Sequence, residues 1–367
     1  MKVDSISLLN FRNFSSFFCE FHPDTNLIYG ENAQGKTNLL ESLVFLSQGK
    51  SFRGGKEKEL LLFSKDFGEV SGKILNESRE YLLTSQISLN KKKKMTKNGV
   101  SCRKNSEFSE VFQTVLFCPE DLSLVKAGAL ERRQFLDVAI CQLRPQYAVA
   151  LAEYKRLYQH KSRILKEKTL NLLDTLPEFN CRLAQTGTML IHYRAHFIKR
   201  LEETLPPIHL ELSSGKEKAK LAYETISSIS DPLAGERGIF AGVIAQQERL
   251  FHREIEAGRC LAGPQRDDLL LYINDKKAKD YASQGQCRSF AIALKLAERE
   301  IFFQETGEYP VLLLDDVLSE LDFSRQEYIL NRIRYGQTFL TCCHKEGFHG
   351  LKEGGLFGIY EGQLCNS

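Results

Sequence analysis

The period of the apolar positions changes several times along the chain, and each change marks an element. Val3 to Leu9 alternates loosely, and Asn26-Leu27-Ile28-Tyr29 is a short apolar strand that stops at Gly30. From Lys36 to about Gln48, Leu39, Leu40, Leu43, Val44 and Leu46 recur at helical spacing. A strand running into a glycine loop and then a helix is a βα unit. Residues from about 67 to 118 again read as strands: Tyr81 to Leu89 alternates, and Asn98-Gly99 is a hairpin turn signal.

The middle of the chain is helical. Tyr147, Leu151, Tyr154, Tyr158 and Leu165 form a stripe with heptad-like steps, and a second long helix is predicted from about Pro177 to Leu205, with Leu183, Leu190 and Phe197 seven apart. The short linker around Leu170 to Pro177 suggests an antiparallel hairpin, either a shortened coiled-coil arm or two amphipathic helices of a compact lobe. The last 80 or so residues return to α/β. A helix from about Gly285 to Phe303, a buried strand Val311 to Leu314, a helix from about Ser324 to Arg334 and a strand Thr338 to Thr341 are predicted.

A length of 367 residues allows about two or three domains. The net charge is only +3, so any nucleic-acid surface must be a local basic patch. An acid at position 4 with no apolar run behind it argues against a signal peptide, and no segment approaches a membrane span. The ten cysteines contain no CxxC pair, and they read as reduced thiols in a cytoplasmic protein.

Gly30-Glu31-Asn32-Ala33-Gln34-Gly35-Lys36-Thr37 matches GxxxxGK[ST] without a gap, followed by Asn38. The two glycines allow backbone angles that turn successive N–H groups toward a phosphate, and the helix that follows offers its free amides to the same anion. Lys36 is expected on the β- and γ-phosphates of ATP, and Thr37 on Mg²⁺. Val311-Leu312-Leu313-Leu314-Asp315-Asp316 is an apolar strand ending in two acids, which repel unless a cation or a proton lies between them. Asp315 is expected in the Mg²⁺ shell, and Asp316 as the catalytic group that orients and deprotonates the attacking water.

Ser283-Gln284-Gly285-Gln286-Cys287-Arg288 resembles the signature motif of ABC-type ATPases, about 30 residues before the acids. In that class Ser283, Gly285 and Gln286 would face the γ-phosphate of the other subunit's nucleotide, and Ser319-Glu320-Leu321-Asp322 resembles the loop along the same dimer interface. Leu9-Asn10-Phe11-Arg12-Asn13-Phe14 resembles the opening strand of SMC-like ATPases. Phe117 to Leu122, Glu131 to Asp137, Gly263 to Leu269 and Leu312 to Asp322 resemble the RecF family in order over most of the chain.

That resemblance implies an ABC/SMC-type α/β ATPase head with a mixed sheet and an inserted, mainly helical second lobe carrying a short helical hairpin arm. The lobes are expected at 1–120 with 285–367, and at 121–284. It implies a weak DNA-dependent ATPase of recombinational repair and replication-fork maintenance, nucleoid-associated when on DNA. It would close as a homodimer on ATP and act with RecO and RecR in recombinase loading. Arg12 and Asn13 would touch the nucleotide. Gln265 and Cys287 stand where the family usually has His and Gln. His344 stands where ABC ATPases place a γ-phosphate-sensing His, a role the family does not reliably keep.

Lys91-Lys92-Lys93-Lys94, Lys97, Arg103 and Lys104 form a run without an acid on a predicted hairpin, the candidate DNA contact, with Arg132 and Arg133 as further candidates. The rival reading is the ATPase subunit of a membrane transporter. The helical insert and the Asp-Asp pair, in place of Asp-Glu, count against it. A structural SMC linker would need hundreds of coiled-coil residues, and a phosphate-loop kinase would lack the signature motif.

Overall fold

The computed structural model describes the chain apart from residues 78, 169–172, 334, 344–353 and 366–367; of Glu320 and Arg332 only the backbone is described. His344 lies outside the described residues. The chain divides into two compact units, Met1–Ser123 with Arg288–Ser367, and Leu124–Cys287. The expected lobe boundaries each lie three residues from these.

The first unit is a helix between two sheets. One sheet is antiparallel, built from β1 (Lys2–Phe11), β2 (Phe14–Glu20), β4 (Phe67–Leu75), β5 (Glu80–Ser88), β6 (Lys94–Lys97) and β7 (Val100–Cys102), in the order β2-β1-β4-β5-β6-β7. The other holds β3 (Thr25–Tyr29), β8 (Thr114–Phe117), β12 (Val311–Leu314), β13 (Thr338–Cys342), β14 (Gly355–Tyr360) and β15 (Gln363–Cys365), in the order β15-β14-β3-β13-β12-β8. All of its pairings are parallel except β14 with β15.

These sequences form these sheets for different reasons. β4 buries every second residue, the period-2 pattern of a sheet with one covered face. β12 and β13 are buried throughout, as parallel strands covered on both faces are. Helix α1 (Lys36–Gln48) buries Leu39, Leu40, Leu43, Val44, Phe45 and Leu46 completely. Apolar groups all round its circumference are what a helix between two sheets requires.

The second unit packs α2 (Ala129–Leu143), α3 (Pro145–Glu167), α4 (Leu176–Leu212) and α5 (Glu236–Ala257) with a small antiparallel sheet. That sheet is β9 (Ala219–Glu224), β10 (Asp268–Ile273) and β11 (Lys276–Lys277), in the order β11-β10-β9. The predicted hairpin is α3 with α4: Arg182 pairs with Glu153 at 2.7 Å, and the Tyr147 and Tyr193 rings meet edge to face. α5 lies along it, adding Ile239 and Val243 to the contacts of Ala184 and Ile191. α4 runs through Pro206 and Pro207, beyond the predicted end at Leu205. Proline removes a donor and normally breaks a helix; here the buried stripe continues through Leu205, Ile208 and Leu212, and burial outweighs that loss.

Candidate functional site

The phosphate loop joins β3 to α1. Its backbone takes φ of 151° at Gly30, 66° at Ala33 and 119° at Gly35. A Cβ on Gly30 would lie 2.4 Å from the Ile359 carbonyl oxygen, so this position is closed to any other residue. The Lys36 ammonium donates to the Gly30 carbonyl at 2.5 Å and the Glu31 carbonyl at 2.8 Å, so the cation is held at the loop. The loop is braced from the C-terminal hairpin: the Glu361 N–H donates to Gln34 Oε1 at 2.6 Å and the Gly362 N–H to the Gln34 carbonyl at 3.1 Å. Glu361 and Gly362 form the tight turn between β14 and β15, with φ of 47° and 74°.

The two acids follow β12. Thr37 donates to Asp315 Oδ1 at 3.0 Å, and Thr341, at the end of β13, donates to the same oxygen at 2.8 Å. Thr341 in turn accepts the Asp316 N–H at 2.8 Å. Burial raises the Asp315 pKa above the ordinary carboxylate value, against the Thr341 and Thr37 hydroxyls. Asp316 is half-buried, with φ 52°, and Ser319 Oγ lies 2.7 Å from its carbonyl and 3.0 Å from its Oδ1. The two neighbouring carboxyls thus take different partners, Asp315 the threonines and Asp316 the serine.

Arg12, Asn13 and Asn38 come together beside the loop. Asn13 donates to the Gln34 carbonyl at 2.9 Å and accepts from Asn38 at 2.8 Å. Arg12 is bidentate to Glu41 at 2.9 and 2.6 Å and reaches the Glu59 carbonyl. These residues line a cleft of about 820 Å³ that also includes Arg53, Lys58, Leu62 and Phe63. Arg53 was not singled out from the sequence. It donates to Asn38 Oδ1 at 2.8 Å, lies 3.6 Å from the buried Glu41 and bears electrostatically on Asp315. Glu41 was missed too, because an acid inside an apolar helix carries no local signal of its partners.

The signature residues lie in the second unit, at the start of α6 (Gln284–Thr306). The Gln286 N–H donates to Ser283 Oγ at 3.2 Å and the Ser283 N–H to Gln286 Oε1 at 2.9 Å, a reciprocal capping box. Ser283 remains exposed, while Gly285 is half-buried. Asp322 caps α7 (Phe323–Arg332), accepting the Arg325 N–H at 3.1 Å.

The model of the RecF/RecN/SMC N-terminal domain matches residues 2–363. The DNA replication and repair protein RecF of Staphylococcus haemolyticus is 38% identical over 370 residues, 99% of this chain and 100% of that protein. RecF of Bacillus subtilis is 37% identical at the same coverage. The chain belongs to the RecF family. A solved structure of the recombination mediator protein RecF with ATP, from the RecFOR pathway, superposes with a TM-score of 0.91 at 34% identity, covering 99% of this chain and 97% of that one. The Smc head domain of Pyrococcus furiosus shares the fold, at a TM-score of 0.55 and 15% identity. As a RecF-family member, the chain is an ATP-binding ATPase of DNA repair and recombination, with the SMC/ABC-type head fold. Full-length matches to RecF leave the transporter reading without support. No described helix is long and apolar enough to cross a membrane.

Two family segments prove to be internal scaffolding. Arg194 is buried and donates to Asp267 and the Pro264 carbonyl, both at 2.8 Å, and to Asp137 at 2.8 Å. Tyr223 and Thr225 complete Asp267 at 2.6 and 2.7 Å, and burial raises its pKa against Arg194 and those hydroxyls. Arg132, expected as a DNA candidate or surface charge, is neither, whereas Arg133 is half-buried. Arg132 is buried and bidentate to Asp268 at 2.7 and 2.8 Å, and Arg133 donates to the Asp267 carbonyl at 2.6 Å. Gln265 accepts the Tyr154 hydroxyl and donates to the Ala262 carbonyl at 2.9 Å. Arg266 is exposed.

The basic run also divides. β6 and β7 form the predicted hairpin through Asn98-Gly99, with φ of 50° and 77°. Lys91, Lys92, Lys94, Arg103 and Lys104 are exposed and Lys97 is half-exposed. Lys93 corrects the expectation. It turns inward to Glu57 at 2.8 Å and the Gly49 carbonyl, 5.2 Å from the Phe45 ring centroid. Glu107, acidic and just beyond the run, accepts the backbone N–H groups of Lys104 and Arg103, which lower its pKa.

Proposed function

We propose that this protein binds ATP–Mg²⁺ at the loop Gly30–Thr37 and closes as a homodimer on DNA, with slow hydrolysis releasing it. The observation that carries the reading is the meeting of Thr37, Asp315 and Thr341 around one carboxylate oxygen, beside a lysine held at the loop. Thr37 and Asp315 offer the hard oxygen donors that Mg²⁺ takes in phosphate sites. The metal would neutralise charge on the β- and γ-phosphates. Lys36 binds those phosphates as a point charge, and the backbone amides of Glu31 to Lys36 cradle them. Arg12, Asn13, Asn38 and Arg53 line the cleft that would receive the rest of the nucleotide.

Asp316 is the group we assign to orient and accept a proton from the attacking water. Ser283, Gly285 and Gln286 would dock on the γ-phosphate held by the other subunit, where the amides and dipole at the start of α6 favour negative charge. Lys91, Lys92, Lys94, Lys97, Arg103 and Lys104 would meet DNA phosphates. The solved relative with ATP is the recombination mediator of the RecFOR pathway, so RecO and RecR are the expected partners. Sedimentation and DNA binding compared with ATP, with ADP and without nucleotide test the reading. DNA affinity and oligomeric state that ignore the nucleotide would overturn it.

A further inference from the structure

The second unit carries a basic face that none of the motifs accounts for. In the sheet β11-β10-β9, Lys277 pairs across Tyr272 to Lys220. Adjacent strands lie about 4.8 Å apart, so these two ammonium groups rise from backbones about 10 Å apart with a tyrosine between them. The inward residues are apolar: Ala219, Leu221, Leu269, Leu271 and Ile273 are buried. By the alternation of a strand, Lys220 and Tyr272 therefore face outward, and Lys218, two residues before Lys220, falls on the same side. Lys218 is fixed there by its backbone, which exchanges hydrogen bonds with Asn274 at 2.8 and 2.9 Å.

The face is extended by the turn after β10. Asn274 and Asp275 take φ of 48° and 63°, the tight turn that brings Lys276 and Lys277 back beside the sheet. Lys276 Nζ lies 6.0 Å from the ring centroid of Tyr281, which is 72% exposed. Lys126 donates to the Lys279 carbonyl at 3.0 Å, adding its charge to the same segment. Lys126, Lys216, Lys218, Lys220, Lys276, Lys277 and Lys279 are all exposed, and none has an acidic partner within ion-pair distance among the described residues. Glu217, the acid inside this cluster, is instead taken by the buried His209 at 3.1 Å. Asp275, Asp280 and Glu224 are the exposed acids nearby, too few to balance the lysines.

We infer that this face, Lys218, Lys220, Tyr272 and Lys277, with Lys276 exposed at the sheet edge opposite Ile273, is a second DNA-binding surface that takes the phosphate backbone. The inference rests on the DNA reading above. Unpaired ammonium groups on a fixed strand lattice neutralise phosphates without reading bases, and the interleaved tyrosines offer π-faces to unpaired bases. The position gives the surface a consequence. Lys279 is followed by Asp280, Tyr281 and Ala282 and then by the signature residue Ser283, so DNA on this face holds the segment that caps α6. DNA bound here therefore favours the arrangement in which the signature motif meets nucleotide, which is how DNA raises hydrolysis.

The test replaces Lys218, Lys220 and Lys277 together with serine in the full-length protein, beside a Lys→Arg version of the same three positions. Binding to fluorescent duplex and to single-stranded DNA of the same length is followed by anisotropy over a salt series with ATP. The serine variant should lose roughly two to three units of the duplex log–log salt slope and somewhat less on the single strand, while the arginine variant keeps both. Its ATPase should lose stimulation by DNA; DNA-free hydrolysis and thermal melting serve as fold controls. A parent protein that binds no DNA would sink the DNA reading itself. A parent that binds, with a serine variant of unchanged slope, would sink this surface alone, and so would tighter binding to RNA than to DNA of equal length.

Discussion

Thr37 and Asp315 share a hydrogen bond of 3.0 Å although 278 positions separate them in the chain. The contact forms because β3 and β12 flank β13 in one parallel sheet, which brings the residues that follow β3 and β12 to the same edge. Ligands of open α/β sheets gather at the carboxyl ends of such strands. The hydroxyl and carboxylate are thus juxtaposed by the topology of the sheet. Lys36→Ala removes the cation held at this edge. ATP binding, followed with a fluorescent analogue, should weaken by at least tenfold, and ATP-dependent dimerisation should be lost. A variant that dimerised normally with ATP would refute the assignment of the loop.

The basic run makes a split prediction. Lys91, Lys92, Lys94 and Lys97 to serine should lower DNA affinity and flatten its salt dependence, each lost phosphate contact reducing the slope by about one. Lys93→Ser should leave the salt slope unchanged. It should instead lower the melting temperature, because Glu57 and the Phe45 ring lose the Lys93 cation and the Gly49 carbonyl loses one of its two donors. Equal effects of Lys93 and Lys94 on the salt slope would contradict this division.

Buried charge in the second unit gives a stability prediction. Arg194→Met leaves Asp267 and Asp137 without their cation, and breaking one side of a buried pair typically costs about 3–5 kcal/mol. Urea unfolding should show that loss in a transition assigned to this unit. Arg194→Met combined with Asp267→Asn should cost less than the sum of the two, because the second change removes the stranded charge. Strict additivity would mean that the two residues act independently.

The thiols can be ranked by reactivity. Cys181 and Cys365 are exposed, whereas burial, with Glu20 nearby, pushes the Cys19 thiol up to about 12. Thiolate is the reacting form, so alkylation near neutral pH should label Cys181 and Cys365 first and leave Cys19 unmodified until the protein unfolds. Peptide mapping reads this directly.

What was legible in the sequence was what is contiguous. Gly30 to Thr37, the adjacent Asp315-Asp316 pair and the cap at Ser283 are each written in residues a few positions apart, so spacing discloses the motifs, though not the contact of Asp315 with Thr37 and Thr341. The surroundings were not legible. The brace on Gln34 comes from Glu361-Gly362, and the partners of Glu41 are Arg12, Ser51 and Arg53. Such contacts are created by the sheet order and leave no local trace. Arg132 and Lys93 were misread for the same reason: a basic residue in a polar stretch looks solvated until its partner is placed. β9, β10 and β14 were missed because short strands in a helical or turn-rich stretch give too few periods to register.

Dimer closure can be probed from both sides of the proposed composite site. Asp316 is one methylene shorter than the glutamate usual in transporter ATPases. A base must come within about 3 Å of its water, directly or through one bridging water, and a misplacement of about 1 Å can cost about a hundredfold in rate. Asp316→Asn should keep ATP bound through Lys36, Thr37 and Asp315, nearly abolish hydrolysis, and accumulate as a dimer on DNA. Ser283→Arg should do the reverse, binding ATP as a monomer. Ser283 also caps α6, however, so arginine removes a cap worth about 1 kcal/mol as well as blocking a docking surface. Ser283→Asp separates the two effects. Aspartate is as good a cap as serine, yet it sets a negative charge against the partner's γ-phosphate. It should therefore melt like the parent and still fail to dimerise. Mixed with Asp316→Asn, it can form at most one intact composite site per dimer. Sedimentation with ATP should then show dimer for Asp316→Asn, monomer for Ser283→Asp and weakened dimer for the mixture. A Ser283→Asp protein that dimerised as well as the parent would remove the signature motif from the interface.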